Sequence, residues 1–154
     1  MANTYSQCYA QLVFAVKGRQ SLIEKQHRET VHQYMTGIVQ KRGQKMLTVF
    51  CMPDHAHVFV GFKPSLSLSD LVRDLKTNTT LFIKENRLTP FKFEWQEGFG
   101  AFTYAHSQID AVCKYIRNQE AHHKNRSFKT EYLDFLEKFE VPHEERYLFE
   151  WVNA

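Results

Sequence analysis

The chain has 154 residues, of which 43% are hydrophobic and 14% aromatic, and it carries a formal net charge of +3. This length fits a single domain spanning residues 1–154, and the apolar content excludes a disordered chain. The sequence has neither a long apolar run nor a secretory leader, and its three cysteines are widely spaced. We therefore expect a cytoplasmic protein with reduced thiols and no membrane span.

The charge is distributed unevenly along the chain. Residues 131–154 contain seven acidic and two basic residues, whereas residues 1–130 contain 18 basic and ten acidic residues and so carry +8. A basic body favours a polyanionic partner such as nucleic acid, because each neutralised phosphate releases condensed counterions. A basic surface that only keeps the protein soluble is the alternative.

Hydrophobic patterning predicts elements in the order β-α-β-β-α-β. The predicted ranges are a strand over 5–16, a break at 17–20, a helix over 22–42 ended by Gly43, strands over 44–51 and 55–62, a helix over 68–86 capped by Ser67 and Asp70, and a strand formed by 91–93 and 99–105. This order is that of a ferredoxin-like (split βαβ) fold, an α+β domain whose antiparallel sheet carries both helices on one face.

The strand that begins at His55 carries two histidines on one side. Strand side chains alternate between faces, so His55 and His57 project together, about 6.6 Å apart along the strand, whereas Ala56 and Val58 point the other way. Two imidazoles at this spacing can bind one metal ion. If the apolar face packs under the helices, the histidines emerge on the open face of the sheet. The alternative is a pair of surface histidines without a ligand.

A third helix, predicted over 108–126 with Ser107 as its N-cap, would cover that open face through an apolar stripe. Tyr115 and Gln119 are four residues apart and hence neighbours on one side of this helix. Alternatively, the tyrosine packs on the sheet and the amide is solvated, while His122 or His123 binds the metal. The predicted parts of the domain are thus a core over 1–106, this helix within 107–126 and a C-terminal tail over 127–154.

Three motifs resemble the single-tyrosine HUH transposases of bacterial insertion sequences, which include the REP-associated tyrosine transposases. They are Met52-Pro53-Asp54-His55-Ala56-His57, then Trp95-Gln96-Glu97-Gly98-Phe99-Gly100-Ala101-Phe102, and finally Tyr115-Ile116-Arg117-Asn118-Gln119 followed by His122-His123. The resemblance extends over roughly residues 5–140. The family often has a bulkier apolar residue where this chain has Ala56, a departure expected to affect packing more than ligation.

This resemblance implies an HUH endonuclease fold in which Tyr115 is the nucleophile and His55, His57 and Gln119 are ligands of Mg²⁺ or Mn²⁺. It implies a homodimeric enzyme that cleaves and rejoins single-stranded DNA at hairpin-marked element ends through a 5′-phosphotyrosine, without a nucleotide cofactor. In this family the tyrosine helix commonly completes the partner's histidine site. Gly98 and Gly100 would then be flexible points that allow the exchange.

Basic side chains on the predicted second and third helices, namely Arg73, Lys76 and Arg117, are expected to contact DNA phosphates. Three other functions fit the same sequence. A domesticated relative would process genomic hairpins without mobilising itself. A ferredoxin-like module would bind nucleic acid without catalysis, and a metal-dependent hydrolase would use the histidines without a covalent intermediate.

Overall fold

The computed structural model describes residues 3–18 and 21–152 and contains one four-stranded antiparallel sheet. The strands are β1 (Tyr9–Ala15), β2 (Lys45–Cys51), β3 (His55–Gly61) and β4 (Gly100–Thr103), and their order in the sheet is β2-β3-β1-β4. The helices are α1 (Arg28–Lys41), α2 (Leu68–Glu85), α3 (Ile109–Arg117), α4 (Gln119–His122) and α5 (Phe128–Lys138). This order confirms the predicted ferredoxin-like fold. No helix within the described ranges has the length and apolarity that a membrane crossing requires.

The two faces of the central strands differ as the alternation predicts. In the pairing of β1 with β3, Leu12 lies opposite Val58 and Phe14 opposite Ala56. These four side chains are fully buried in one apolar cluster, together with residues of α1 and α2. Burying a valine, leucine or phenylalanine side chain contributes about 1.5–3 kcal/mol. This core fixes the register and thereby places the histidines of β3 on the opposite face.

Two helices cover the histidine face. Helix α3 packs Val112, Cys113 and Ile116 against Phe59 of β3. Helix α5 packs on the same face through a second cluster of Phe128, Tyr132 and Leu136 with residues of β1 and β4. The C-terminal segment then packs on α5, with the ring centroid of Trp151 5.5 Å from that of Phe128. The predicted tail therefore helps to cover the histidine face of the sheet.

Several element boundaries differ from the predictions. Helix α1 starts at Arg28, after a 3-10 turn over Lys25–His27, and β1 starts at Tyr9. Residues 91–93 form no strand in the described structure, and the nearest bridge joins Val16, just after β1, to Trp95. Residues 19 and 20 of the predicted break lie outside the described residues.

The predicted third helix is also interrupted, and its predicted N-cap is wrong. Helix α3 ends at Arg117, and Asn118 separates it from the short α4. Before α3, a 3-10 turn over His106–Gln108 takes the place of the predicted start, and the side chain of Gln108, not Ser107, accepts from the Ala105 N–H. Gln119 is the first residue of α4 and is fully buried.

Gly100 is required for packing at the start of β4. A Cβ atom built there would lie 2.7 Å from the Tyr132 hydroxyl oxygen and 2.9 Å from a ring carbon of Phe102. Gly98, by contrast, has a φ of +83° and open space around it, so only its backbone conformation favours glycine. The absence of a side chain at Gly100 lets α5 approach the sheet.

Replacing Gly100 with alanine is expected to lower the free energy of unfolding by about 1–3 kcal/mol, because Tyr132 and α5 would have to shift. Chemical denaturation measures this change. Gly37→Ala is the matched control: Gly37 is exposed within α1, and a Cβ there meets nothing within 4 Å. We expect that control to stabilise the protein by about 0.4–1 kcal/mol. Equal effects at both sites would contradict the packing argument.

Candidate active site

The Nδ1 atoms of the two β3 histidines form hydrogen bonds with side-chain oxygen atoms. Both side chains are fully buried. Nδ1 of His55 lies 2.7 Å from Asp54 Oδ1, and Nδ1 of His57 lies 2.6 Å from Gln11 Oε1. Because these oxygens accept, each Nδ1 carries a hydrogen and the Nε2 atoms point away from the strand. Asp54, which directly precedes β3, and Gln11 of β1 thus orient both rings.

A carboxylate from α5 meets these rings. Glu131 is 1% exposed, and its Oε1 lies 3.1 Å from His57 Nε2 and 3.5 Å from His55 Nε2. The same oxygen lies 3.1 Å from Nε2 of His123. The ligand atoms of His55, His57 and Glu131 all fall within 4.8 Å of one another, which makes the group a possible metal site.

Gln119, which the resemblance implied as the third ligand, borders the same space. Its Oε1 lies 3.1 Å from His55 Nε2 and 2.9 Å from His123 Nε2. Its amide nitrogen donates to Glu131 Oε2 at 2.8 Å. The site therefore contains two oxygen-bearing side chains, Gln119 and Glu131, where the sequence indicated one.

The arrangement of lone pairs suits a cation. With its Nδ1 hydrogen donated to Gln11, neutral His57 has only a lone pair on Nε2, and this lone pair faces Glu131 Oε1. His123 has the same arrangement, because its Nδ1 lies 2.7 Å from the carbonyl oxygen of Arg126. Facing acceptors repel each other, and a cation between them removes this repulsion. Imidazole nitrogens with a carboxylate form a donor set that divalent transition ions bind well.

When no metal is bound, a proton on His55 supplies positive charge to the cluster. Burial lowers the pKa of His55, but hydrogen bonds and charges from Asp54 and Glu131 outweigh burial and raise it to about 9. Burial keeps the pKa of His57 below its ordinary value, against the attraction of Glu131. The imidazoles in turn overcome the burial of Glu131 and hold its pKa well below the usual range. At neutral pH the cluster thus contains a carboxylate and a protonated His55.

Tyr115 lies beside this cluster within the same chain. Its hydroxyl donates to Glu131 Oε2 and accepts from Nη2 of Arg126 at 2.7 Å. Its ring stacks on His122, with centroids 4.4 Å apart, and lies 6.5 Å from the ring of His57. The structure thus brings the predicted tyrosine and both predicted histidines together, joined through Glu131.

An open cleft of about 500 Å³ leads to the Tyr115 hydroxyl, and its lining includes Tyr104, Arg126, Glu131 and Lys138. Burial and then the charge and hydrogen bond of Glu131 raise the pKa of Tyr115 above its ordinary value, although Arg126 opposes them. The phenol is therefore protonated in the metal-free protein. A cation bound at Glu131 would offset the charge that keeps it so.

The predicted DNA contacts lie on different layers. Arg73 is exposed on α2, beyond the apolar face of the sheet, and pairs with Asp70 at 2.8 Å. Lys76 of the same helix donates to the backbone carbonyl oxygens of residues 96 and 98 at 2.8 and 2.7 Å. Arg117 is exposed on α3, on the histidine side. These three cations do not form a single surface.

Sequence reasoning missed Glu131, although the chain carries a signal for it. The apolar positions Phe128, Tyr132 and Phe135 follow helical spacing, and Glu131 lies within that stripe. A carboxylate on the buried face of an amphipathic helix requires a partner. Arg126 has no comparable signal, because nothing local in the sequence indicates that it reaches the hydroxyl of Tyr115.

A split βαβ sheet that holds a His-x-His pair beneath a tyrosine-bearing helix defines the class of HUH-type proteins. Within this class, the chain belongs to the IS200-like transposase family, whose model matches residues 4–119. The match includes both histidines of β3, Tyr115 and Gln119. It ends before Arg126 and Glu131, so the carboxylate of the site comes from outside the matched region.

Individual proteins and solved structures are also similar to this chain. The chain is 25% identical over 96 residues to the transposase for insertion sequence element IS200 of Salmonella typhimurium and to that of Salmonella typhi, and the match spans 62% of this chain and 62% of each relative. Its fold is similar to a protein assigned as a transposase from Deinococcus radiodurans R1, with a TM-score of 0.57 and 18% identity over 77% of this chain and 95% of that one. It is also similar to a REP-associated tyrosine transposase bound to a REP hairpin, with a TM-score of 0.59 and 13% identity over 80% and 73% of the two chains.

Replacing Glu131 with glutamine is expected to destabilise the metal-free protein by about 3–5 kcal/mol at neutral pH, because buried imidazoles lose their counter-charge. The effect should depend on pH. The pKa of His55 is raised from 6.5 to about 9, so its stabilisation is complete below 6.5 and lost as the pH rises through 9. The difference between wild type and Glu131→Gln should therefore shrink over that range, as measured by denaturant unfolding in chelator.

Glu137→Gln is the control for this experiment, since Glu137 lies exposed on the same helix. We expect it to change stability by less than about 0.5 kcal/mol at every pH. A cost at Glu131 that stays constant with pH would show that His55 is not its charged partner.

Proposed function

We propose that this protein cleaves and rejoins single-stranded DNA at the hairpin-marked ends of an insertion sequence, through a 5′-phosphotyrosine on Tyr115. The observation that carries the proposal is the shared carboxylate: Glu131 contacts the Tyr115 hydroxyl with one oxygen and the His55 and His57 imidazoles with the other. A nucleophile and a candidate metal site are thus adjacent at the end of an open cleft. Membership of the IS200-like transposase family supports the same activity.

The metal would be a divalent ion held by His55, His57 and Glu131, with Gln119 as a further proposed ligand. Mg²⁺ and Mn²⁺ are the proposed ions, and imidazole nitrogens favour Mn²⁺ of the two. When bound, such an ion supplies Lewis-acid polarisation of the scissile phosphate. The side-chain oxygens of Asp54 and Gln11 keep both rings oriented for it.

In the proposed cleavage step, the Tyr115 oxygen attacks the phosphorus and its proton leaves to water in the open cleft. The P–O3′ bond breaks, and the released 3′ oxygen takes up a proton to become a hydroxyl. The covalent bond conserves the phosphodiester energy. Rejoining reverses these changes with a 3′-OH from another strand, so that no nucleotide cofactor is needed.

Single-stranded DNA with hairpins is the proposed substrate. The REP-associated tyrosine transposase with a similar fold is bound to a REP hairpin, which favours this choice. Arg73, Lys76 and Arg117 are the proposed phosphate contacts. Arg117 is on the same side of the sheet as Tyr115, whereas Lys76 would first have to exchange its two carbonyl partners.

A homodimer is proposed as well, because the family resemblance implies one. Tyr115 and the histidines already meet within one chain, so a dimer would serve DNA pairing and would not be needed to complete the site. Light scattering tests this proposal, with twice the monomer mass of 18.3 kDa expected.

The covalent step has a direct test. Incubation with labelled single-stranded hairpin DNA and Mn²⁺ should give a protein–DNA adduct on a denaturing gel, and Tyr115→Phe should abolish it because the attacking oxygen is gone. Tyr147→Phe is the control, since Tyr147 is 74% exposed. An adduct that persists in Tyr115→Phe would refute the assignment. Cleavage without an adduct would indicate a hydrolase, and binding without cleavage a non-catalytic module.

Metal dependence is tested by affinity. His57→Ala and Glu131→Gln should each weaken Mn²⁺ binding by at least about 100-fold, the upper end of the loss seen for residues that only support a ligand. Isothermal titration calorimetry measures this, with the exposed His143→Ala as the control. Gln119→Ala shows whether the amide is a ligand too. Unchanged affinity in His57→Ala would exclude the proposed site, and chelator should abolish the adduct in wild type.

A further inference from the structure

The Tyr115 hydroxyl oxygen has two charged neighbours, Glu131 and Arg126, and only Glu131 has a role in the proposed function. It donates to Glu131, and Arg126 Nη2 donates to it at 2.7 Å. A phenol that attacks phosphorus develops negative charge as its proton leaves. A guanidinium already hydrogen-bonded to that oxygen stabilises this charge without further reorganisation.

Arg126 is fixed in this position from three directions. Its Nη1 donates to Asp134 Oδ2 at 2.8 Å, and its backbone carbonyl oxygen accepts from His123 Nδ1 at 2.7 Å. Ser127, the next residue, caps α5 by accepting from the Thr130 N–H. The rigid fork of the guanidinium thus has one end on a carboxylate and the other on the nucleophile.

Arg126 also lies where DNA bound in the cleft would meet its positive charge. Its side chain is 31% exposed and lines the open cleft together with Tyr115. A purely structural ion pair could equally tie the chain before α5 to Asp134. That alternative explains one end of the guanidinium, but it does not explain the hydrogen bond to the phenol.

We propose that Arg126 is a catalytic residue whose guanidinium stabilises negative charge on the Tyr115 oxygen, and that Asp134 is the residue that positions it. This inference rests on the proposed function. During cleavage, Arg126 stabilises the oxygen while the Tyr115 O–P bond forms and the P–O3′ bond breaks. During rejoining, a 3′-OH forms the new P–O3′ bond as the Tyr115 O–P bond breaks, and Arg126 stabilises the departing phenolate until it regains a proton.

The test is the single-turnover rate of adduct formation by the full chain, with saturating hairpin DNA and Mn²⁺. Arg126→Ala should slow the reaction by about 10²–10³-fold, as the loss of one donor to a developing oxyanion does, and Arg126→Lys should retain part of the rate. Rejoining by purified adduct should slow to a similar extent. The dissociation constant for DNA, measured on uncleaved substrate, should change by far less.

Chemical rescue separates charge stabilisation from structure. Because the cleft is open, guanidinium or methylguanidinium, at concentrations far below those that unfold the protein, should restore part of the Arg126→Ala rate. Asp134→Asn should lower the rate by less than Arg126→Ala and should gain little from added guanidinium. Arg42→Ala is the matched control, since Arg42 pairs with Asp74 at a similar exposure but away from Tyr115. It should react as wild type does.

The outcomes distinguish a failure of the role proposed for Arg126 from a failure of the proposed function. If wild type forms an adduct and Arg126→Ala matches its rate, this inference is wrong and the proposed function stands. The inference is also wrong if higher DNA concentrations alone restore the rate, or if the variant is slow, thermally destabilised and not rescued by guanidinium. If wild type forms no adduct, the proposed function and this inference fail together.

Discussion

A single buried carboxylate links the separate parts of this protein. Glu131 is in contact with imidazoles from β3 and from the end of α4, with the amide of Gln119 and with the phenol of α3. An ionised carboxylate is costly to bury unless charges and hydrogen bonds surround it. The same contacts that make Glu131 tolerable in the interior therefore dock α5 and give the candidate metal site its negative charge.

The two faces of the sheet have different functions. The face beneath α1 and α2 is apolar throughout the centre of β1 and β3, and it fixes which way every strand residue points. The opposite face combines apolar patches at its ends with polar side chains in the middle. Rigid strands thus position the histidines, while helices that pack at either side bring the tyrosine and the carboxylate to them.

Local sequence patterns predicted the features that depend on the backbone geometry of a single strand or helix. Alternation in β3 was sufficient to place His55 and His57 on one face, and helical spacing was sufficient to place Tyr115 beside Gln119. The partners of these groups come from distant parts of the chain: Gln11 from β1, and Arg126 and Glu131 from beyond the break at Asn118. Their contacts depend on how α5 folds back over the sheet, which no short-range period encodes. The sequence signal for Glu131, an acid within an apolar stripe, indicated burial but not the partner.

The position of Glu131 in the chain has a consequence for how such sites can diversify. The family match ends at residue 119, and the helix that follows supplies the acid. A protein with an equivalent first segment and an unrelated final helix would retain the sheet, the histidine pair and the tyrosine. Without the acid, its imidazoles and phenol would lack the shared carboxylate, and the pKa of the phenol would differ as a result. Exchange of this one helix would thus change the ionisation of the site while the strand that carries the histidines stays the same.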